Sequence, residues 1–221
     1  MSVTIDSFGA QQNGSSISSL TLSHTVAGVN RLMTVAVVGF FSPFGGLPTL
    51  TVTYGGAPLT LKTNVTFNSN SNVYLYYLVA PAIGTANVVV SFSSSGVIHA
   101  QVCSWNGVDQ TAPFGTVSTG NGVDSVDVTS YWGNMVIDAV VLNGGGTLTA
   151  ASGQNQISTG DTGSVAMGTS CKPGANGVVS MGWSPATTMI GVSLIANNQS
   201  SIQSSVRVYV EQVISVELQI L

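Results

Sequence analysis

The feature that most limits what this chain can become is its punctuation. Short runs of Val, Ile, Thr and aromatic residues recur along it, each closed by Gly, Pro, Asn or Ser, and no stretch of twelve residues carries a helical period with caps. The runs include "SVTIDSF", "SSLTLSHTV", "RLMTVAVVGF", "TLTVTY", "NVYLYYLV", "NVVVSF", "IHAQVCSW", "NMVIDAVVL", "GVVSMGW" and "MIGVSLIA". "SPFGGLP", "YGGAP" and "CKPGANG" separate them as turns. Such a pattern predicts an all-β fold, an antiparallel β-sandwich or jelly roll. Within "VYLYYLV" the alternation puts Tyr74 and Tyr76 on one face, Leu75 and Tyr77 on the other.

The pattern also repeats. "NRLMTVAVVGF" is echoed by "GNMVIDAVVLN", "YGGAPLT" by "NGGGTLT", and "GTANVVVSFSSSGVIHAQVCSWNGVDQ" by "GANGVVSMGWSPATTMIGVSLIANNQ", at an offset drifting between about 89 and 104 residues. Two pseudo-repeated halves follow, at 1–116 and 117–197 of one β-sandwich module spanning 1–197. They are two sheets of one sandwich or two tandem sandwiches. One sandwich is preferred, because the linker candidate "NGVDQTAPFGTVSTGNG" is short and has no Pro-rich or charged spacer.

Beyond the module, residues 198–221 form a C-terminal tail. Val206, Val208, Val210, Ile214, Val216, Leu218 and Ile220 alternate with polar residues and make a strand-like ribbon with one apolar face. An exposed strand of this kind needs a cover. It either completes the chain's own sandwich or packs on another subunit, which makes these seven residues the candidate partner-binding set.

Composition narrows the function. Only 5% of residues are charged and the net charge is −4. With no Lys/Arg stripe to displace counterions, nucleic acid is not an expected partner. A surface of Ser, Thr, Asn and Gln titrates little, so charge repulsion in acid stays small and tolerance of harsh external conditions is expected. The longest apolar stretch, "LMTVAVVGFF", is too short to span a membrane. The N-terminus lacks the basic and apolar regions of a signal peptide, so release within an assembled particle is the expected route to the outside.

The search for chemistry yields turns and core groups. "DTGS" at Asp161–Ser164 carries the Asp-Thr-Gly of aspartic proteases, but its lead-in is polar and no second copy supplies a dyad, so Asp161 is read as starting a turn. No Gly-x-Ser-x-Gly elbow occurs, and His24 and His99 sit on strands with no acid or nucleophile marked beside them. Asn121, Asp124 and Asp127 have oxygen ligands that suit calcium, without the spacing of a calcium loop. Cysteines and histidines are too scattered for structural zinc, and "NGGGTLT" lacks the Lys-Ser/Thr of a phosphate loop. Cys103 and Cys171 read as buried thiols. The expectation is therefore no enzyme, no catalytic residue, no metal and no cofactor. Trp132 in "SYWGN", with Tyr131, is the exposed aromatic candidate for binding a glycan. Asn13, Asn64 and Asn198 stand in Asn-x-Ser/Thr sequons and matter where external proteins are glycosylated.

"HTVAGVNRLMTVAVVG", "VTYGGAPLT", "YYLVAPAIGTANVVVSF", "WNGVDQTAPFG" and "SCKPGANGVVSMGW" together resemble a β-sandwich module of phage and archaeal-virus structural proteins and bacterial surface proteins, over roughly residues 2–197. In length, low charge and β content the chain is also similar to the turret proteins at the vertices of archaeal icosahedral viruses. That resemblance implies a viral structural protein: an oligomeric spike or turret at the virion surface, made in the host cytoplasm and assembled with its own copies and other capsid proteins. Host attachment through surface glycans is a further implied role. The alternative is a lectin-like, carbohydrate-binding cell-surface module.

Overall fold

The computed structural model describes residues 2–42, 47–69 and 71–197. It is all β, and no helix in it is long and apolar enough to cross a membrane. In chain order the strands are β1 (Thr4–Phe8), β2 (Gln12–Val26), β3 (Leu32–Phe40), β4 (Leu50–Tyr54), β5 (Ala57–Pro58), β6 (Thr60–Asn68), β7 (Ser71–Val79), β8 (Gly84–Asn106), β9 (Phe114–Ser130), β10 (Met135–Asn143), β11 (Thr149–Ala150), β12 (Asn155–Asp161), β13 (Val165–Pro173) and β14 (Gly177–Leu194).

All pairing is antiparallel and divides into two sheets. The first has the order β5-β4-β8-β3-β7-β6, with β1 and β2 also on β8; the second has β11-β14-β10-β13-β12, with β9 also on β14. The second order repeats the first, strand for strand, once the β5 hairpin arm is set aside. Register agrees: Leu32 pairs with both Val79 and Trp105, and Met135 with both Pro173 and Leu194. Single hydrogen bonds recur too. Ala80 N donates to Arg31 O at 2.9 Å, and Gly174 N to Asn134 O at 2.8 Å. The chain passes from one sheet to the other between Asn106 and Phe114, so a division at 116/117 falls just inside β9.

Alternation explains the layering. In the first part of β8, Val88, Val90 and Phe92 are buried while Thr85 and Asn87 face solvent. In its second part both faces are buried: Ile98, Ala100 and Val102 on one, Cys103 and Trp105 on the other. The strand turns a corner between the parts. A Cβ at Gly96 would stand 2.4 Å from the Phe41 ring and 2.6 Å from Phe40 O, so the corner needs glycine. β14 behaves alike, with its register shifting between Gly182 and Thr187. Each sheet therefore folds over its own core. The first holds Met33, Val35, Tyr74, Val88 and Ile98; the second holds Val128, Val140, Met181, Trp183 and Met189. A third core, with Leu32, Leu75, Trp105, Ile137, Met167 and Leu194, lies between the sheets. The two sheets pack face to face as in one sandwich, and each is also a folded sheet around its own core. Tyr74 and Tyr76 enter the first sheet's core while Leu75 and Tyr77 face the shared one, the division that alternation predicts.

Two sequence expectations are corrected here. The segment read as a linker is partly strand, since β9 starts at Phe114. β9 buries one face only and spends Ser, Thr, Gly and Asp on the other, so it lacks the apolar density of a core strand. The runs "NVVVSF" and "IHAQVCSW" are one strand, as are "GVVSMGW" and "MIGVSLIA"; their polar interruptions are the corners.

Candidate functional surfaces

Most of the polar groups that attracted notice in the sequence are spent inside the fold. His24 Nε2 lies 3.0 Å from Ser104 Oγ, and Ser104 donates to Asp6 Oδ2 at 2.8 Å. The serine thus stands between histidine and carboxylate, the wrong order for a relay that activates a nucleophile, and it is fully buried. Burial pushes the His24 pKa down, against the pull of Asp6. His99, also fully buried, has Gln11 Nε2 at 3.0 Å from Nδ1 and Thr162 Oγ1 at 3.3 Å from Nε2. A neutral ring protonated on Nε2 satisfies both partners. Burial lowers its pKa to about 4, although Asp161 and the Val165 backbone pull upward.

The second sheet holds one buried carboxylate, Asp138, in the middle of β10. It accepts from Ser170 N at 2.6 Å, Ser170 Oγ at 2.9 Å and Trp183 Nε1 at 2.8 Å. Desolvation raises its pKa to about 6, and the Trp183 and Ser170 bonds hold it below what burial alone would give. Nothing in the apolar run "NMVIDAVVL" marks this residue beyond its charge.

Asp161 caps its own turn: Gly163 N donates to Oδ1 at 2.7 Å and Gly146 N to Oδ2 at 3.1 Å. The turn reading of "DTGS" holds. Gly144, Gly145 and Gly146 have φ of +89°, +72° and +124°, so "NGGGTLT" is the glycine turn expected. Asn121 joins the halves, donating to Thr66 O at 3.3 Å and accepting from Thr188 Oγ1 at 2.7 Å. Among the described residues no group of three His, Cys, Asp or Glu is placed to share a metal ion. Cys103 and Cys171 are unbonded and buried in the shared core. Burial raises their pKa values to about 12 and 11.

Two surfaces remain. The first is one pole of the molecule, where four loops meet. Arg31 fastens two of them, donating from Nε to Pro81 O at 2.9 Å and from Nη1 to Gly28 O at 3.0 Å. The matching loops of the second sheet are joined by Trp132 N to Asn176 Oδ1 at 3.4 Å. Their tips carry apolar side chains into solvent: Val29 is 62% exposed, Ile83 67%, Tyr131 61% and Trp132 71%. The described chain also ends among them. Asn197 N donates to Gly107 O, Gly107 N to Val29 O, and Ala196 N to Asn134 Oδ1. Trp132 is thus exposed, as the turn reading expects, Tyr131 is exposed with it, and both sit beside the point where the described chain ends. Asn13 is exposed on β2 and Asn64 on the edge strand β6. Asn198 and the ribbon residues Val206, Val208, Val210, Ile214, Val216, Leu218 and Ile220 lie outside the described residues.

The second surface is a cleft of about 470 Å³ on the outer layer of the second sheet, which the sequence did not signal. Trp183 and Gly182 contribute to its wall; Lys172, Asp124, Ser125, Thr149, Ser152, Ser180 and Ser184 also line it. Gln154 stiffens this region, accepting from Gly182 N at 2.6 Å and donating to Ser170 Oγ at 2.7 Å. Compared with protein-family models, with curated proteins and with solved structures, the chain finds no match.

Proposed function

We propose that this chain is a non-enzymatic structural subunit of a virion surface assembly, a spike or turret joined to the capsid and to its own copies. The observation that carries this reading is the meeting, at one pole, of exposed Val29, Ile83, Tyr131 and Trp132 with the point where the chain runs on into its apolar ribbon. Exposed apolar side chains gathered around a continuing apolar segment suit a face that other subunits cover. Antiparallel sheets with little charge give a durable body, and the other pole is left free to face outward, at the surface of the particle. Nucleic acid has no role in this reading, and the histidines and Asp138 serve the cores.

The test is the size in solution of the full chain against a chain ending at Asn197. The three cores close within the described residues, so the shorter chain should keep its far-ultraviolet spectrum while losing assembly. Full chain and truncated chain both running as monomers would overturn the anchoring role.

A second reading, a carbohydrate-binding module serving host attachment, is favoured by the hydroxyl-lined cleft. Trp132 and Tyr131 then belong to the anchoring pole, and the glycan belongs to the cleft.

A further inference from the structure

We propose that the cleft beside Trp183 binds an acidic saccharide, a sugar carrying a carboxylate, with Lys172 as the residue that selects the acid. The inference rests on the carbohydrate-binding reading and is independent of the anchoring one.

The cleft exists because the duplicated halves diverge there. In the first sheet the outer layer is finished by β4 and β5, and the Tyr54 hydroxyl ties it down by donating to Gly84 O at 2.9 Å. In the second sheet the corresponding strand, β11, has two residues, Thr149 and Ala150. The methyl groups of Ala150 and Ala151 and the bare Cα of Gly182 then leave an opening within the size range of ligand pockets, about 300–1,000 Å³.

Its lining is chemically unspent. Some hydroxyls of the molecule pair across strands, as Thr25 with Thr85 at 2.7 Å and Ser158 with Thr169 at 2.9 Å. No hydrogen bond within the described residues engages the hydroxyls of Ser125, Thr149, Ser152, Ser180 or Ser184. The same holds for the cations. Arg31 is committed to two backbone carbonyls, and the Lys62 ammonium stands 4.8 Å from the centre of the Phe114 ring. Among the described residues Lys172 alone of the three has no hydrogen bond, ion pair or ring contact, and it lines this cleft.

Lys172 and Asp124 share this cleft without pairing. A ligand with an anionic group for the ammonium and hydroxyl donors for the carboxylate satisfies both, and the ring hydroxyls suit the serines. The site is also held in shape before any ligand arrives: Asp138 fixes the Trp183 indole from behind, and Gln154 fixes Gly182. With a net charge of −4 the protein repels anions in general, so an anionic sugar gains here only through a specific contact with Lys172.

The experiment titrates the full chain with an oligosaccharide ending in glucuronate, and with its glucose-terminated counterpart, following binding by calorimetry. The expected result is that the acid binds at least about tenfold tighter than the neutral sugar, the scale of one charge-assisted hydrogen bond. Lys172→Gln should erase that preference, Ala151→Trp should block both sugars, and Trp132→Ser should change neither. If both sugars bind equally in an Ala151→Trp-sensitive way, the carbohydrate reading stands and the acid selectivity falls. If the preference survives Lys172→Gln, or binding survives Ala151→Trp, the assigned site is wrong. If neither sugar binds at millimolar concentration, both readings fall.

Discussion

The two sheets share one strand order and differ in what they bury and how they finish. The first buries two imidazoles, His24 and His99, and closes its outer layer with the β4–β5 hairpin. The second buries the Asp138 carboxylate and closes with only two residues of β11. Val35, at the position of the first sheet that corresponds to Asp138, is an ordinary core residue. Strand order survives such changes because it depends on apolar alternation, which both halves keep. Polar groups and outer-layer length are free to vary, and the cleft arises where they do.

The comparison breaks most visibly at the core the sheets share. Trp105 fills it and donates to Thr34 Oγ1 at 2.9 Å. Trp105→Ala should cost about 3–5 kcal/mol. Because that core belongs to both sheets, urea unfolding followed by circular dichroism and by fluorescence should remain a single coincident transition at lower midpoint. Two separated transitions would show that the halves are independent units.

Titration sharpens the contrast. The pKa of Asp138 is raised, so its contribution to stability is full below the ordinary carboxylate value and is lost as pH rises through about 6. The pKa of His99 is lowered, so its contribution is full above the ordinary imidazole value and is lost as pH falls through about 4. Each spans about two pKa units, or about 3 kcal/mol. The slopes oppose one another, and the native protein should vary little in stability between about pH 4 and 6. Asp138→Asn should leave a stability that rises across this window, and His99→Gln one that falls, read as urea midpoints against pH. Slopes of the same sign in both variants would refute the assignment. His24, with its lowered pKa, adds to the histidine side.

The smallest effects on stability belong to the pole. Val29→Ser tests the first sheet's tip and Trp132→Ser the second's. Each should move the urea midpoint by less than about 0.5 kcal/mol equivalent, since exposed side chains make few native contacts. In the full chain each should still weaken self-association measured by light scattering, and the stronger effect identifies the half that carries the contact.

Much of this was readable in the residues. Alternation placed Tyr74 and Tyr76 opposite Leu75 and Tyr77, glycine runs marked the turns, and the echo between "NRLMTVAVVGF" and "GNMVIDAVVLN" is the echo between β3 and β10. The strands β6, β9, β12 and β13 lie outside the runs marked in the sequence: β6, β9 and β12 need only one buried face and spend Ser, Thr, Asn and Gly on the other, while β13, though buried, has its apolar run broken by Gly168, Thr169 and Ser170. The cleft had no local signal. It depends on residues from β9, β11, β13 and β14 and on a hairpin that the second half lacks.

By itself the sequence determined the all-β class, the faces of the strands it marked and their duplication, because a period of two residues is a local property of the chain. The tertiary structure alone decided which faces are buried twice. Cys103 and Trp105 lie inside the molecule, while Thr85 and Asn87 on the same strand meet water, because the second sheet covers only the part of β8 beyond its corner. Which residues share a layer, and which stay open to a ligand, follows from contacts between segments far apart in sequence, and no local pattern encodes those.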